Sequence, residues 1–198
     1  MKTRTIRTSL MALCALFFVL SGVTDACLTP KGVQEGYLAD ASTPSDVALA
    51  HAAGEFRIVG ANLLWLNVVD HYHHQYMAQG GIWAKNKDIL PLIHMILILD
   101  PHFKSAYDVG SLILCETNQV PEAISMLHQG IDNNPTSYLL YYDMAMTYAW
   151  YLQRPAEALP YARQALANAP DDWTRHRYGM FVHTLTREAR QDERKKAA

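Results

Sequence analysis

Pro101, Pro135 and Pro170 stand 34 and then 35 residues apart, and each closes a segment of the same pattern. Those segments are "DILPLIHMILILDP", "PEAISMLHQGIDNNP" and "PAEALPYARQALANAP". A fixed period of this length restricts a chain to stacked supersecondary units, because one unit alone cannot bury its apolar face. Within the segments the apolar residues recur at helical spacing: Ile89, Ile93 and Leu97; Ala123, Leu127 and Ile131; Ala158, Ala162 and Leu166. Pro121 and Pro155, 34 apart, open the second and third segments, and the one extra residue is assigned to the stretch between Pro155 and Ala158. Pro91 and Pro160 share a register, expected near a helix start where a missing N–H costs least.

Between these segments lie "FKSAYDVGSLILCE" and "SYLLYYDMAMTYAWYL", whose Tyr107 and Tyr141, like Ser111 and Ala145, are 34 apart. Each unit is therefore helix, turn, helix, then a terminating proline. Residues 104–137 and 138–172 form two such units, with turns near 117–121 and 152–156, and a capping helix over 173–191 follows.

This arrangement resembles the tetratricopeptide repeat over roughly residues 87–185. The family's small residue at the helix crossing matches Ala123 and Ala158, and its proline terminator matches Pro101, Pro135 and Pro170. Its large and small first-helix residues match Tyr107 and Tyr141, and Ser111 and Ala145. The leading tryptophan is missing and Gly110 replaces the usual leucine. The resemblance implies an all-α fold: a right-handed superhelix of antiparallel helix pairs, here with a long N-terminal helix.

That long helix is expected over 44–79, opened by the Thr43-Pro44-Ser45-Asp46 start signal, with an irregular unit continuing to 103. Residues 44–198 then make a single domain. Phe56 to Val69 is apolar on nearly all sides, which predicts burial between neighbours. With "FRIVGANLLWL" and "ILDP", the region also resembles a group of exported bacterial repeat proteins of uncharacterised type, a likeness that implies no activity.

The first 26 residues have the layout of an export signal. Lys2, Arg4 and Arg7 precede an apolar run from Leu10 to Leu20, and no further charge appears until Asp25. A cleaved signal peptide and an uncleaved membrane anchor both fit, with 27–43 as linker. A lipid on Cys27 fits less well, because Thr24 and Asp25 are poor neighbours for it. Every version exports the chain, to a periplasm or to a membrane facing it. Of the other cysteines, Cys14 lies in the signal and Cys115 in an apolar helical run, which suits a buried small hydrophobe.

With Lys+Arg 17 against Asp+Glu 19, no basic stripe marks a nucleic-acid surface. No G-x-S-x-G, P-loop or dinucleotide fingerprint occurs, so neither an enzyme nor a cofactor is expected. The stretch "DHYHHQY" raises a metal alternative, in which Asp70, His71 and His74 share a helix face. Zinc or iron would need further ligands, with His94 and His102 the candidates. The reading expected instead is a polar helix surface with Asp70 paired to His74, and a pH-sensitive contact of the clustered histidines is a third.

Stacked pairs line their inner face with the first helix of each pair. That geometry places Asp108, Leu112, Cys115 and Glu116 inward, then Tyr142, Met146, Ala149 and Trp150, then Arg177 and Phe181 from the cap. The expected groove is aromatic and apolar. It lacks the lysine and asparagine set that some relatives use on a carboxylate terminus, and suits an amphipathic helix or apolar peptide. The function expected is a non-enzymatic scaffold for envelope proteins, held at the membrane through its N-terminus and able to oligomerise. The long helix or a second copy filling the groove from within is the competing arrangement.

Overall fold

The computed structural model describes residues 52–66, 74–75, 78–82 and 89–197, and within them all regular structure is helical. The chain divides into two compact units, Met1–His74 with Pro91–Pro101, and Gln75–Leu90 with His102–Ala198.

In the first unit a 3-10 turn, Gly54–Phe56, leads into α1, Arg57–Leu64, and α2, which spans Ile89–Leu99, contributes its residues from Pro91 onward. Gly54 has φ +49, so the expected long helix is broken here by a residue in the left-handed region that glycine tolerates. Of that helix, 44–51, 67–73 and 76–77 lie outside the described residues. A Cβ on Gly60 would sit 3.6 Å from Leu99 Cδ1, which marks the side on which α1 and α2 meet. The expected all-round burial does not hold over the described part: Ile58, Val59, Leu63 and Leu66 are all more than half exposed. Contact through the Gly60–Ala61 side covers one stripe of α1 and leaves the rest uncovered. α2 is buried along Ile93, Ile96, Leu97, Ile98 and Leu99.

The second unit carries α3, Lys104–Glu116; α4, Val120–Asn133; α5, Tyr138–Met146; α6, Pro155–Ala167; and α7, Asp172–Ala197. Local chemistry sets the boundaries. α3 ends in a Schellman motif: Asn118 takes φ 63, Gln119 N–H reaches Leu114 O at 2.8 Å, and Asn118 N–H reaches Cys115 O at 3.1 Å. α4 stops before Pro135, where Asn134 turns its side-chain amide back onto Gly130 O at 3.1 Å. α7 begins one residue before the expected Trp173 because Asp171 caps it. One carboxylate oxygen accepts from Thr174 N–H and the other from the Thr174 hydroxyl, both at 2.8 Å. These donors hold the Asp171 carboxyl below its ordinary pKa.

Helices α3 and α4 pack antiparallel. Leu114 and Cys115, late in α3, cluster with Ala123, early in α4, while Tyr107, early in α3, faces Gly130, late in α4. A Cβ on Gly130 would lie 2.8 Å from Tyr107 Cγ, so the helices approach closely because a side chain is missing there. Helices α5 and α6 repeat the arrangement through Ala145, Ala149, Ala158 and Ala162, with Tyr148 and Tyr161 stacked at 5.5 Å. The first helices of successive pairs run side by side. Cys115 Sγ of α3 lies 3.7 Å from Thr147 Oγ1, just beyond α5, and Tyr142 of α5 stacks on Tyr178 of α7 at 4.9 Å.

Two expectations about proline and period are corrected. Pro160 is the sixth residue of α6, not near its start. Its missing N–H would have served the Ala156 carbonyl, and both residues are exposed, so that carbonyl is left open to solvent rather than buried. The extra residue does not follow Pro155. Val120 and Pro155 each open the second helix of a pair, so the register has already slipped before Pro155. A π-helical turn, Thr147–Tyr151, absorbs it: Leu152 N–H bonds Thr147 O at 3.2 Å, five residues back. At the helix end Arg154 N–H reaches six residues back to Tyr148 O, where Gln119 reaches five.

Candidate functional site

The π turn borders a cleft of about 180 Å³ between α3 and α5. Its walls are Asp108, Ser111, Leu112 and Cys115 on one side, and Tyr142, Asp143, Met146, Thr147, Trp150 and Tyr151 on the other. Asp108, Leu112 and Cys115 are one helical turn apart, as are Tyr142 and Met146, so each helix presents one face. Beyond Met146 the wider π turn brings two consecutive aromatics, Trp150 and Tyr151, to the same opening.

Six residues expected on the inner face meet here: Asp108, Leu112, Cys115, Tyr142, Met146 and Trp150. Trp150 is 58% exposed and Leu112 39%, so the mouth presents apolar surface to solvent. Arg177 and Phe181 do not line the cleft. They pack on its Tyr142 wall, Phe181 edge-on at 5.2 Å. The Arg177 guanidinium lies 5.6–5.8 Å from the ring centres of Trp173, Tyr142 and Tyr178. A planar cation held over three rings is stabilised by their quadrupoles and is spent on fixing α7 to α5. Ala149 is corrected: it is buried against Ala158 and Ala162, because the wide turn swings it toward α6. Glu116 is exposed but outside the lining.

Ser111, Asp143, Thr147 and Tyr151 complete the walls without having been foreseen. The hydroxyls of Ser111 and Thr147 donate to the carbonyls of Asp108 and Asp143, at 3.0 and 2.9 Å. Burial pushes the Cys115 thiol pKa up, the thiol's hydrogen bond with Thr147 notwithstanding.

Asp143 has the least ordinary environment. Its Oδ2 is enclosed and has no hydrogen-bond partner. Burial, and then the neighbouring charge of Asp108, lift its carboxyl to about 8, and burial raises Asp108 as well. Two desolvated carboxyls that interact across the cleft titrate as a pair. No lysine, arginine or histidine lines the cleft.

For the metal alternative, Asp70 and His71 lie outside the described residues, and His74 is exposed. His102 Nδ1 lies 2.7 Å from Asn133 O, so that nitrogen is taken by a main-chain carbonyl. Among the described residues no three His, Cys, Asp or Glu side chains gather in a metal-sized group, and no helix is long and apolar enough to cross a membrane. In comparisons with known proteins, no family model and no curated protein matches the chain.

Proposed function

We propose that the chain is a non-enzymatic interaction scaffold of the bacterial cell envelope, built as a tetratricopeptide-like right-handed superhelix. Its inner face holds an apolar or amphipathic segment of a partner. The N-terminal segment exports the protein and delivers it to the periplasm or to a membrane facing it. Support for the repeat assignment comes from the proline phase and the small residues Ala123 and Ala158 at the helix crossings.

One observation carries the binding assignment. Six side chains chosen for a common inner face line one cleft, and the large one at its mouth, Trp150, is 58% exposed. A half-open aromatic beside Leu112, Tyr151 and Met146 has the character of an interface anchor, whose truncation typically costs about 2 kcal/mol or more. Since about 1.4 kcal/mol is a factor of ten, Trp150→Ala should weaken partner capture at least ~10-fold. Captures from cross-linked membranes, titrated with wild-type and variant protein, measure this alongside thermal melts. Thermal stability should change little, because the ring is largely outside the core. If the variant melts far lower while its folded fraction captures partner normally, Trp150 is a packing residue and the recognition surface is elsewhere.

A further inference from the structure

The cleft has a chemical character that apolar docking alone does not use. Its mouth and sides are apolar or aromatic: Leu112, Met146, Trp150 and Tyr151. Its acidic groups are two carboxyls, Asp108 and Asp143, reached from opposite helices, while the Ser111 and Thr147 hydroxyls beside them donate to main-chain carbonyls. Asp143 Oδ2 is enclosed there without a hydrogen-bond partner, and the lining holds no basic side chain. The nearby cation, Arg177, is outside the lining, against the Tyr142, Trp173 and Tyr178 rings. A buried carboxyl with no countercharge in the lining carries a standing cost that an incoming cation would lower.

We propose that the cleft receives one lysine side chain of the partner segment, with its ammonium between Asp108 and Asp143 and its aliphatic stem against Leu112, Met146 and the Trp150 ring. This deepens the scaffold reading and rests on it. Chemistry selects the occupant. An ammonium is a compact charge with three donors, able to serve two carboxyls at once, whereas a guanidinium is a flat fork. The stem gains from apolar burial and the charge from the aromatic faces beside it. As the ammonium enters, the proton held by the carboxyl pair leaves to solvent.

Random dodecapeptides displayed on phage and selected on the full-length protein test this without a known partner. Recovered sequences should carry lysine at one fixed position flanked by apolar residues. In synthetic copies, norleucine at that position should weaken binding at least ~10-fold, and Asp108→Asn or Asp143→Asn should weaken the lysine peptides similarly. The same two variants should leave the norleucine peptides unchanged, which separates a lost charge contact from a damaged fold. Selection of arginine, selection of purely apolar peptides, or lysine peptides indifferent to both Asn variants would each overturn the proposal. Apolar peptides that still need Trp150 would leave the scaffold reading standing. Peptides indifferent to Trp150→Ala would remove both.

Discussion

Asp143→Asn should make the protein more stable at pH 8 and no different near pH 4. In the unfolded chain this carboxyl ionises at its ordinary value of 3.8, while in the fold it is held up to about 8. Between those values the folded state binds more protons than the unfolded state, so stability falls as pH rises through that window and levels off above it. The full contribution of the neutral carboxyl is present only below the unfolded pKa. Each unit of difference corresponds to about 1.4 kcal/mol, and with Asp108 sharing the proton the total is on the order of a few kcal/mol. Asparagine keeps the shape and never ionises. Its melting temperature at pH 8 should exceed the wild type's by several degrees, at about 2–4 °C per kcal/mol for a chain of this size. The wild-type-minus-variant curve should slope downward from pH 4 to 8. A flat difference curve, or a variant less stable at pH 8, would mean that Asp143 is ionised and well solvated.

Tyr107→Ala should cost more than any change at the cleft mouth. The ring is fully buried against Gly130 where α3 and α4 cross, and its hydroxyl accepts from Asn133 Nδ2 at 3.1 Å. Neighbours shaped around a ring cannot close the space it leaves, and aromatic-to-alanine changes of this kind cost roughly 3–5 kcal/mol. Denaturant unfolding should show that loss as a lower midpoint with an unchanged slope. A loss under about 1 kcal/mol would show that the crossing is held by other contacts.

The helix pairs were legible because their signals are local. Proline disfavours helix continuation, so Pro101, Pro135 and Pro170, each just past a helix end, fix the phase, and the 3.6-residue period then fixes which faces turn together. That was enough to bring Asp108, Leu112 and Cys115 opposite Tyr142, Met146 and Trp150. The π turn was not legible. An extra residue anywhere between Ala145 and Ala158 gives the same spacing of prolines, and only the hydrogen-bond geometry assigns it to Thr147–Tyr151. That single slip explains why Ala149 faces the core and why Tyr151 joins Trp150 at the cleft. Asp143 escaped notice for a different reason. An acid on a helix is ordinarily solvated, and nothing in its neighbours along the chain signals the approach of Asp108 from the preceding pair. Helical spacing alone puts Arg177 and Phe181 on the inner face, whereas the packing of Tyr142 on Tyr178 leaves them against the Tyr142 ring and outside the cleft. On α1 the apolar pattern was real while its covering was not: composition counts apolar side chains and does not say what meets them.

Site-specific photo-cross-linking in living cells tests most directly whether the inner face is the recognition surface. A photoreactive amino acid in place of Leu112, exposed at the cleft mouth, is compared with one in place of Ser125, exposed on α4. The account predicts a discrete heavier adduct with another envelope protein from position 112, lost when Trp150→Ala is combined with the probe, and no such adduct from position 125. Equal adducts from both positions, or from position 112 only to the chain itself, would contradict it.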